Sequence, residues 1–232
     1  MTLLASRIGF AASHAASPVA AMDEIMEQLG EAPLAGLMLF CSHRFDRDPL
    51  ARAINRRSEG VSVIGCTSSG ELTDRGYDED SLSAIAFPTD SFHLASHCFQ
   101  DVDMFDPVAA RDVVRSLVAT ATRDSRSLGE KINQVALFLV DGLSHREELL
   151  TMTIQDALGD IPLIGGSSGD GLAFRETSIF EGGQFHAHGA VVAILSTPRP
   201  LHVFKAQHYR PGAAKMVVAG AIPQDRVVTE IN

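Results

Sequence analysis

The sequence predicts an α/β (mixed α+β) fold in which one β-α-β-turn-β-β unit occurs twice. The expected result is a mixed parallel/antiparallel sheet flanked by helices. Three observations predict it. Short apolar runs with strand character alternate with runs at helical spacing along the chain. The two halves match at a constant spacing of 100 residues. The 232 residues are 45% hydrophobic, enough for a sizeable buried core.

"RIGFAAS" at 7–13 reads as a short buried strand. Ser17 and Pro18 supply an N-cap and a proline at the first helical position, and Gly30 ends the helix. "LMLF" at 37–40 reads as a strand, 48–58 as a helix with Leu50, Ala53 and Ile54 inward, and "VSVIG" at 61–65 as a third strand before the turn "CTSSGEL". "LSAIAF" at 82–87 and "SFHLASHCF" at 91–99 read as strands joined by "PTD". Asp106-Pro107 opens a helix, "QVALFLV" is a strand, and Ser144 with Glu147 gives a capping-box pattern for a helix ending near Leu158. After "IPLIGGSSGDG", the runs "TSIF" and "QFHAHGAVVAIL" read as a hairpin around Gly182-Gly183, and "LHVFKAQHY" as a further strand.

The internal match is specific. Residues 37–40 stand 100 positions before 137–140, Leu50 before Leu150, Ile54 before Ile154, Ile64-Gly65 before Ile164-Gly165, and Leu72 before Leu172. "SAIAF" then answers to "VVAIL" and "FHLASH" to "LHVFKAQH". The expectation is one domain over 1–232 with pseudo-repeats at about 34–100 and 134–210, sharing one core.

Charge and composition exclude several functions. The net charge is −10 with no basic patch, which disfavours nucleic acid. The longest apolar runs are far shorter than the roughly 18 residues of a membrane span. No basic region precedes the apolar start, so the reading is cytoplasmic. Cys41, Cys66 and Cys98 are widely spaced, as expected of free thiols.

Ligands of open α/β sheets bind beyond the C-terminal ends of strands. There the candidate ligand-binding residues are Gly65, Cys66, Thr67, Ser68, Asp141, Gly165, Gly166, Ser167, Ser168 and Asp170. "IGGSSGDG" at 164–171 is followed by "LAFRETSIF", which has no helical stripe, so neither a phosphate loop nor a nucleophile elbow has its required helix. A tight turn facing a small polar ligand remains; glycines needed only for turn geometry explain the stretch equally well. His93 and His97 share one strand face, and His186 and His188 another, which makes them candidate metal or haem ligands. Hydrogen-bonded strand histidines are the plainer reading. His202 and His208 lie downstream without a distinguishing neighbour.

"VSVIGCTSSGEL", "GD" with "IPLIGGSSGDG", and "TSIFEGGQFHAHGAVVAIL" together resemble the FIST N domain family, in an order and spacing that cover most of the chain. The resemblance implies a bacterial-type sensory domain that binds a small molecule such as an amino acid, or haem in the members that sense nitric oxide. It implies a histidine kinase or a cyclic-di-GMP enzyme as signalling partner, and a C-terminal FIST domain absent from these 232 residues. The leading expectation is therefore a non-enzymatic small-ligand sensor, with haem-based nitric oxide sensing as its sharper version. The alternative is a hydrolase or acyl-transfer enzyme using Ser167 or Cys66.

Overall fold

A computed structural model describes residues 7–73, 76–207, 209–223 and 227–232. The chain divides into two compact units, Met1–Leu201 and His202–Asn232.

The first unit begins with β1 (Gly9–Ser13), α1 (Pro18–Leu29), β2 (Leu34–Ser42), α2 (Arg47–Arg57) and β3 (Ser62–Ser68). A small hairpin, β4 (Glu71–Thr73) and β5 (Gly76–Asp78), precedes β6 (Leu82–Pro88). Then follow β7 (His93–Phe99), α3 (Pro107–Asp124), β8 (Asn133–Val140), α4 (Glu147–Leu158) and β9 (Leu163–Ser167). A second hairpin, β10 (Ile179–Glu181) and β11 (Gln184–His186), leads into β12 (Ala190–Thr197).

Local signals set the helix ends. Asp46 accepts the Asp48 N–H (3.3 Å) at the start of α2, and Asp106 accepts those of Val108 (2.8 Å) and Ala109 (3.4 Å) at the start of α3. Ser17 occupies the N-cap of α1 but makes no side-chain cap bond. The capping box expected at Ser144 does not form. Arg146 is the N-cap of α4, while the Ser144 hydroxyl donates to the Asp141 carbonyl (2.7 Å), tightening the preceding loop instead.

Apart from the β4–β5 hairpin, the described strands of the first unit form two mixed sheets rather than one. Their orders are β1-β6-β2-β3-β10-β11 and β7-β12-β8-β9. β2/β3 and β8/β9 are the parallel pairs, as expected of β-α-β crossovers. The first four strands of each sheet occur in the same sequence context, strand-helix-strand-helix-strand-hairpin-strand. The topological repeat therefore begins at β1 and β7, and the 100-residue match lies inside it. The equivalence slips once: Gly65 pairs with Leu39, whereas Gly165 pairs with Phe138.

The alternating side chains of these strands make four layers. Met22, Ile25, Leu50 and Ile54 of α1 and α2 pack on Leu37, Leu39, Ala84 and Ala86. The inner faces meet through Ile64, Phe87, Leu94, Leu137, Val191 and Leu195. Val114 and Ala121 of α3 and Leu150 and Ile154 of α4 cover Ala136, Phe138, Val192 and Ile194. Each fully buried Leu or Ile contributes roughly 1.5–3 kcal/mol.

Two sequence expectations are corrected, the extent of "QFHAHGAVVAIL" and the strand at "LHVFKAQHY". β6 and β7 are the two expected strands, and they lie in different sheets. The chain turns at Pro88, whose carbonyl accepts the Phe92 N–H (3.0 Å), and passes from one sheet to the other. "QFHAHGAVVAIL" is broken at His188 (φ 51°), so β11 ends one hairpin and β12 enters the second sheet. "LHVFKAQHY" forms no strand among its described residues, although it alternates suitably; no β-ladder partner meets it. His208 lies outside the described residues.

The second unit contains an antiparallel pair, β13 (Val218–Ile222) and β14 (Val227–Ile231). Mutual bonds between the backbones of Val217 and Asn232 (2.7 and 2.8 Å) close it.

Candidate functional site

β3 and β9 leave their sheets toward the same rim, and the turns that follow them touch. The Gly169 N–H donates to the Thr67 carbonyl (3.0 Å), and the Gly171 N–H donates to Ser69 Oγ (3.1 Å). The Ser69 hydroxyl reaches the Gly171 carbonyl at 3.1 Å. A side chain at Gly169 would strike Ser69, and at Gly171 (φ 71°) it would approach His43. Glycine is required there by close approach and by a left-handed backbone.

Most candidate residues on this rim point inward. Thr67 Oγ1 accepts the Ser178 N–H (3.0 Å), and the Thr67 N–H returns a bond to the Ser178 carbonyl (3.0 Å). Ser168 Oγ accepts the Gly142 N–H (3.2 Å) and reaches the Val140 carbonyl (3.2 Å). The buried Asp141 carboxylate accepts from the Leu143 N–H (2.9 Å), the His188 N–H (2.8 Å) and the Thr177 hydroxyl. Gly65 and Cys66 are buried in β3, whereas Gly165, Gly166 and Ser167 are exposed on β9.

Asp170 is a buried acceptor of three backbone donors, Phe174 (2.9 Å), Arg175 (2.6 Å) and Glu176 (3.0 Å). Burial pushes its carboxyl up, but these N–H groups, aided by nearby His43, outweigh burial and hold it below the ordinary value. A depressed carboxyl contributes stability above its unfolded value, about 4, and loses it as pH falls through the folded value. The stability gap between the native chain and Asp170→Asn is therefore expected to be largest near neutrality and to narrow below about pH 4. Urea titrations at several pH values measure it; a gap that widens on acidification would contradict the assignment.

The histidines do not converge. The His186 ring contacts the Glu181 carbonyl (3.0 Å), and His188 Nδ1 lies 3.8 Å from Asp103 and 3.9 Å from Asp141. His97 stands edge-on to Phe99 with centroids 4.8 Å apart; burial lowers its pKa against the raising effect of Glu181. His93 Nδ1 is buried without a hydrogen-bond partner. None of the four lines either of the two cavities described below. Among the described residues no group of three or more His, Cys, Asp or Glu side chains could hold a metal ion. Cys66 is buried and its thiol is pushed up, first by burial and then by Cys41 and Glu71, which is unfavourable for a nucleophilic thiolate.

The larger cavity, about 800 Å³, opens where the first turn runs into the β4–β5 hairpin. Its volume lies within the usual range for small-molecule sites. Phe10 of β1, Phe40 of β2 and Ile85 of β6 give it an apolar wall; Glu71, Thr73 and Asp78 of the hairpin give it a polar one. Glu71 is only 2% exposed, held by the hydroxyls of Ser81 (2.5 Å) and Ser68. His14 stands 3.6 Å from Asp78 at the margin. A smaller cavity of about 390 Å³ lies at the other end of β3, beside Asn55, Glu59 and the β10–β11 turn.

Of these cavity residues, the sequence pointed only to the neighbouring turn. Five segments assemble the pocket, β1 with His14, Gln28 of α1, Phe40 of β2, the β4–β5 hairpin and β6, and no local motif marks them. No helix among the described residues is long and apolar enough to cross a membrane. No curated protein matches the chain. The FIST N domain family matches residues 35–232, most of the sequence, in agreement with the motifs along β3, β9 and β10–β12. The chain therefore belongs to the FIST N domain family, a family of signal-transduction sensor domains.

Proposed function

We propose that this domain senses a small amphiphilic molecule in the 800 Å³ cavity and passes its occupancy to the paired turns. The observation that carries this reading is the position of Glu71. Glu71 is among the residues that line the cavity, and its carboxylate is held by Ser68, directly before Ser69, which bonds across to Gly171 of the other repeat. An occupant that engages Glu71 would bias the first turn, and through Ser69 the second. A ligand that binds one arrangement of these turns better shifts the population that a signalling partner meets. The apolar wall of Phe10, Phe40 and Ile85 suits the body of such a ligand, and the polar hairpin suits its head group.

A thermal-shift screen with amino acids, organic amines, nucleotides and haemin tests the proposal. A ligand at 100 times its Kd should stabilise the fold by about 2.7 kcal/mol. Ser83→Phe, which fills the cavity from β6, should abolish the response to any true occupant. A hit that stabilises native and Ser83→Phe proteins equally binds elsewhere and would contradict the reading.

A further inference from the structure

We infer that the free edge of β9 is a docking site for a partner's β-hairpin carrying bulky apolar side chains. β3 and β9 hold the same position in their sheets, after β2 in one and after β8 in the other. The outer edge of β3 is occupied: β10 pairs with it antiparallel, Ile179 opposite Cys66 and Phe180 opposite Gly65. Among the described residues β9 pairs only with β8.

The unpaired groups can be assigned by parity. The Ser168 N–H donates to the Val140 carbonyl (2.8 Å), and the Pro162 carbonyl accepts from the Ala136 N–H (2.9 Å). Even-numbered residues of this stretch therefore address β8. The N–H and C=O groups of Leu163, Gly165 and Ser167 point to the open side. On β3 the same parity is in use, since the Thr67 N–H bonds to the Ser178 carbonyl (3.0 Å). The edge of β9 thus displays the set of donors and acceptors that its counterpart spends on a hairpin.

Proteins usually guard such edges with charge, proline, a bulge or a covering group. β1 is guarded: the Gln28 carboxamide donates to the Ala12 carbonyl (2.8 Å) and accepts from the Ala12 N–H (3.2 Å), imitating a ladder partner. "LIGGS" of β9 has no charge and no proline, Ile164 is 39% exposed, and Gly165 to Ser167 are exposed.

The sequence of the strand favours one kind of occupant. A second copy of β9, paired antiparallel about Gly165, would set glycine against glycine and Gly166 against Ile164. It would bring few side chains to bury. Gly166 has open space where a Cβ would lie, with nothing within 4 Å. A strand like β10, with a β-branched residue followed by an aromatic, fills that space and completes the ladder, the mode known as β-augmentation.

The test uses a labelled cyclic peptide of residues 176–187, "ETSIFEGGQFHA", as a mimic of the resident hairpin. Fluorescence anisotropy should show saturable binding to the whole chain. Ser167→Pro removes one outward N–H and no bond to β8, so it should weaken binding at least about tenfold, close to 1.4 kcal/mol. Urea stability of that variant is measured alongside; if it fails to fold, Ile164→Lys serves in its place and should weaken binding similarly. Replacing the peptide's Phe180 equivalent by glycine should also weaken it. No binding, or binding indifferent to both protein variants, overturns the inference. So does a chain that dimerises in sedimentation through an edge sensitive to Ser167→Pro, which would assign the edge to a second copy.

Discussion

Asp141→Ala is expected to cost about 3–5 kcal/mol of stability, among the largest effects of any single rim substitution. Asp141 directly follows β8 and is 2% exposed. Its carboxylate answers three donors from three segments: the Leu143 N–H of the following loop, the Thr177 hydroxyl before β10, and the His188 N–H after β11. Each buried donor left unsatisfied costs about 1–3 kcal/mol. His188 also holds a left-handed backbone (φ 51°), which the bond to Asp141 helps fix. Thr177→Val removes one donor together with its share of the carboxylate and should cost only about 1 kcal/mol. Urea unfolding of the two variants checks the ratio. Equal, small losses would mean that Asp141 does not organise these segments.

The second large effect is expected from neighbouring glycines that differ only in position. Gly165→Ala should destabilise by about 2–4 kcal/mol, because its Cβ would collide with the Phe138 carbonyl and adjacent backbone. That backbone belongs to the parallel ladder between β8 and β9 and has no flexible side chain to yield. Gly166→Ala meets nothing within 4 Å and should stay within about 0.5 kcal/mol of the native chain. Midpoints of urea unfolding distinguish them. A neutral Gly165→Ala would mean that β9 lies farther from β8 than the structure places it.

Much of the fold was legible because parity and spacing are local properties. The parallel pairs followed from the β-α-β spacing at 37–64 and 137–164, and the start of α3 from Asp106-Pro107. The division into two sheets was not legible, because the Pro88–Phe92 corner reads the same whether its strands pair or part. The β4–β5 hairpin was missed because its strands have three residues each, too few to show alternation. At the rim, Asp141 and Asp170 stood out as residues following strand ends. Their work as acceptors for Thr177, His188 and the 174–176 backbone depends on segments distant in sequence or on a turn with no motif of its own. His93 and His97 share a face of β7 as expected, whereas His188 lies beyond β11 at a left-handed backbone, so it does not share a strand face with His186. The cavity itself draws on β1, α1, β2, β6 and the hairpin, whose meeting only the tertiary fold specifies.

Hydrogen–deuterium exchange tests the central claim most directly. The native chain is compared with and without a saturating hit from the thermal-shift screen. The account predicts slowed exchange at residues 10–14, 69–73 and 76–85 around the cavity, extending to 169–171 through Ser69, with β13 and β14 unchanged. Slowed exchange confined to segments away from Glu71, with residues 69–73 and 169–171 unaffected, would contradict it.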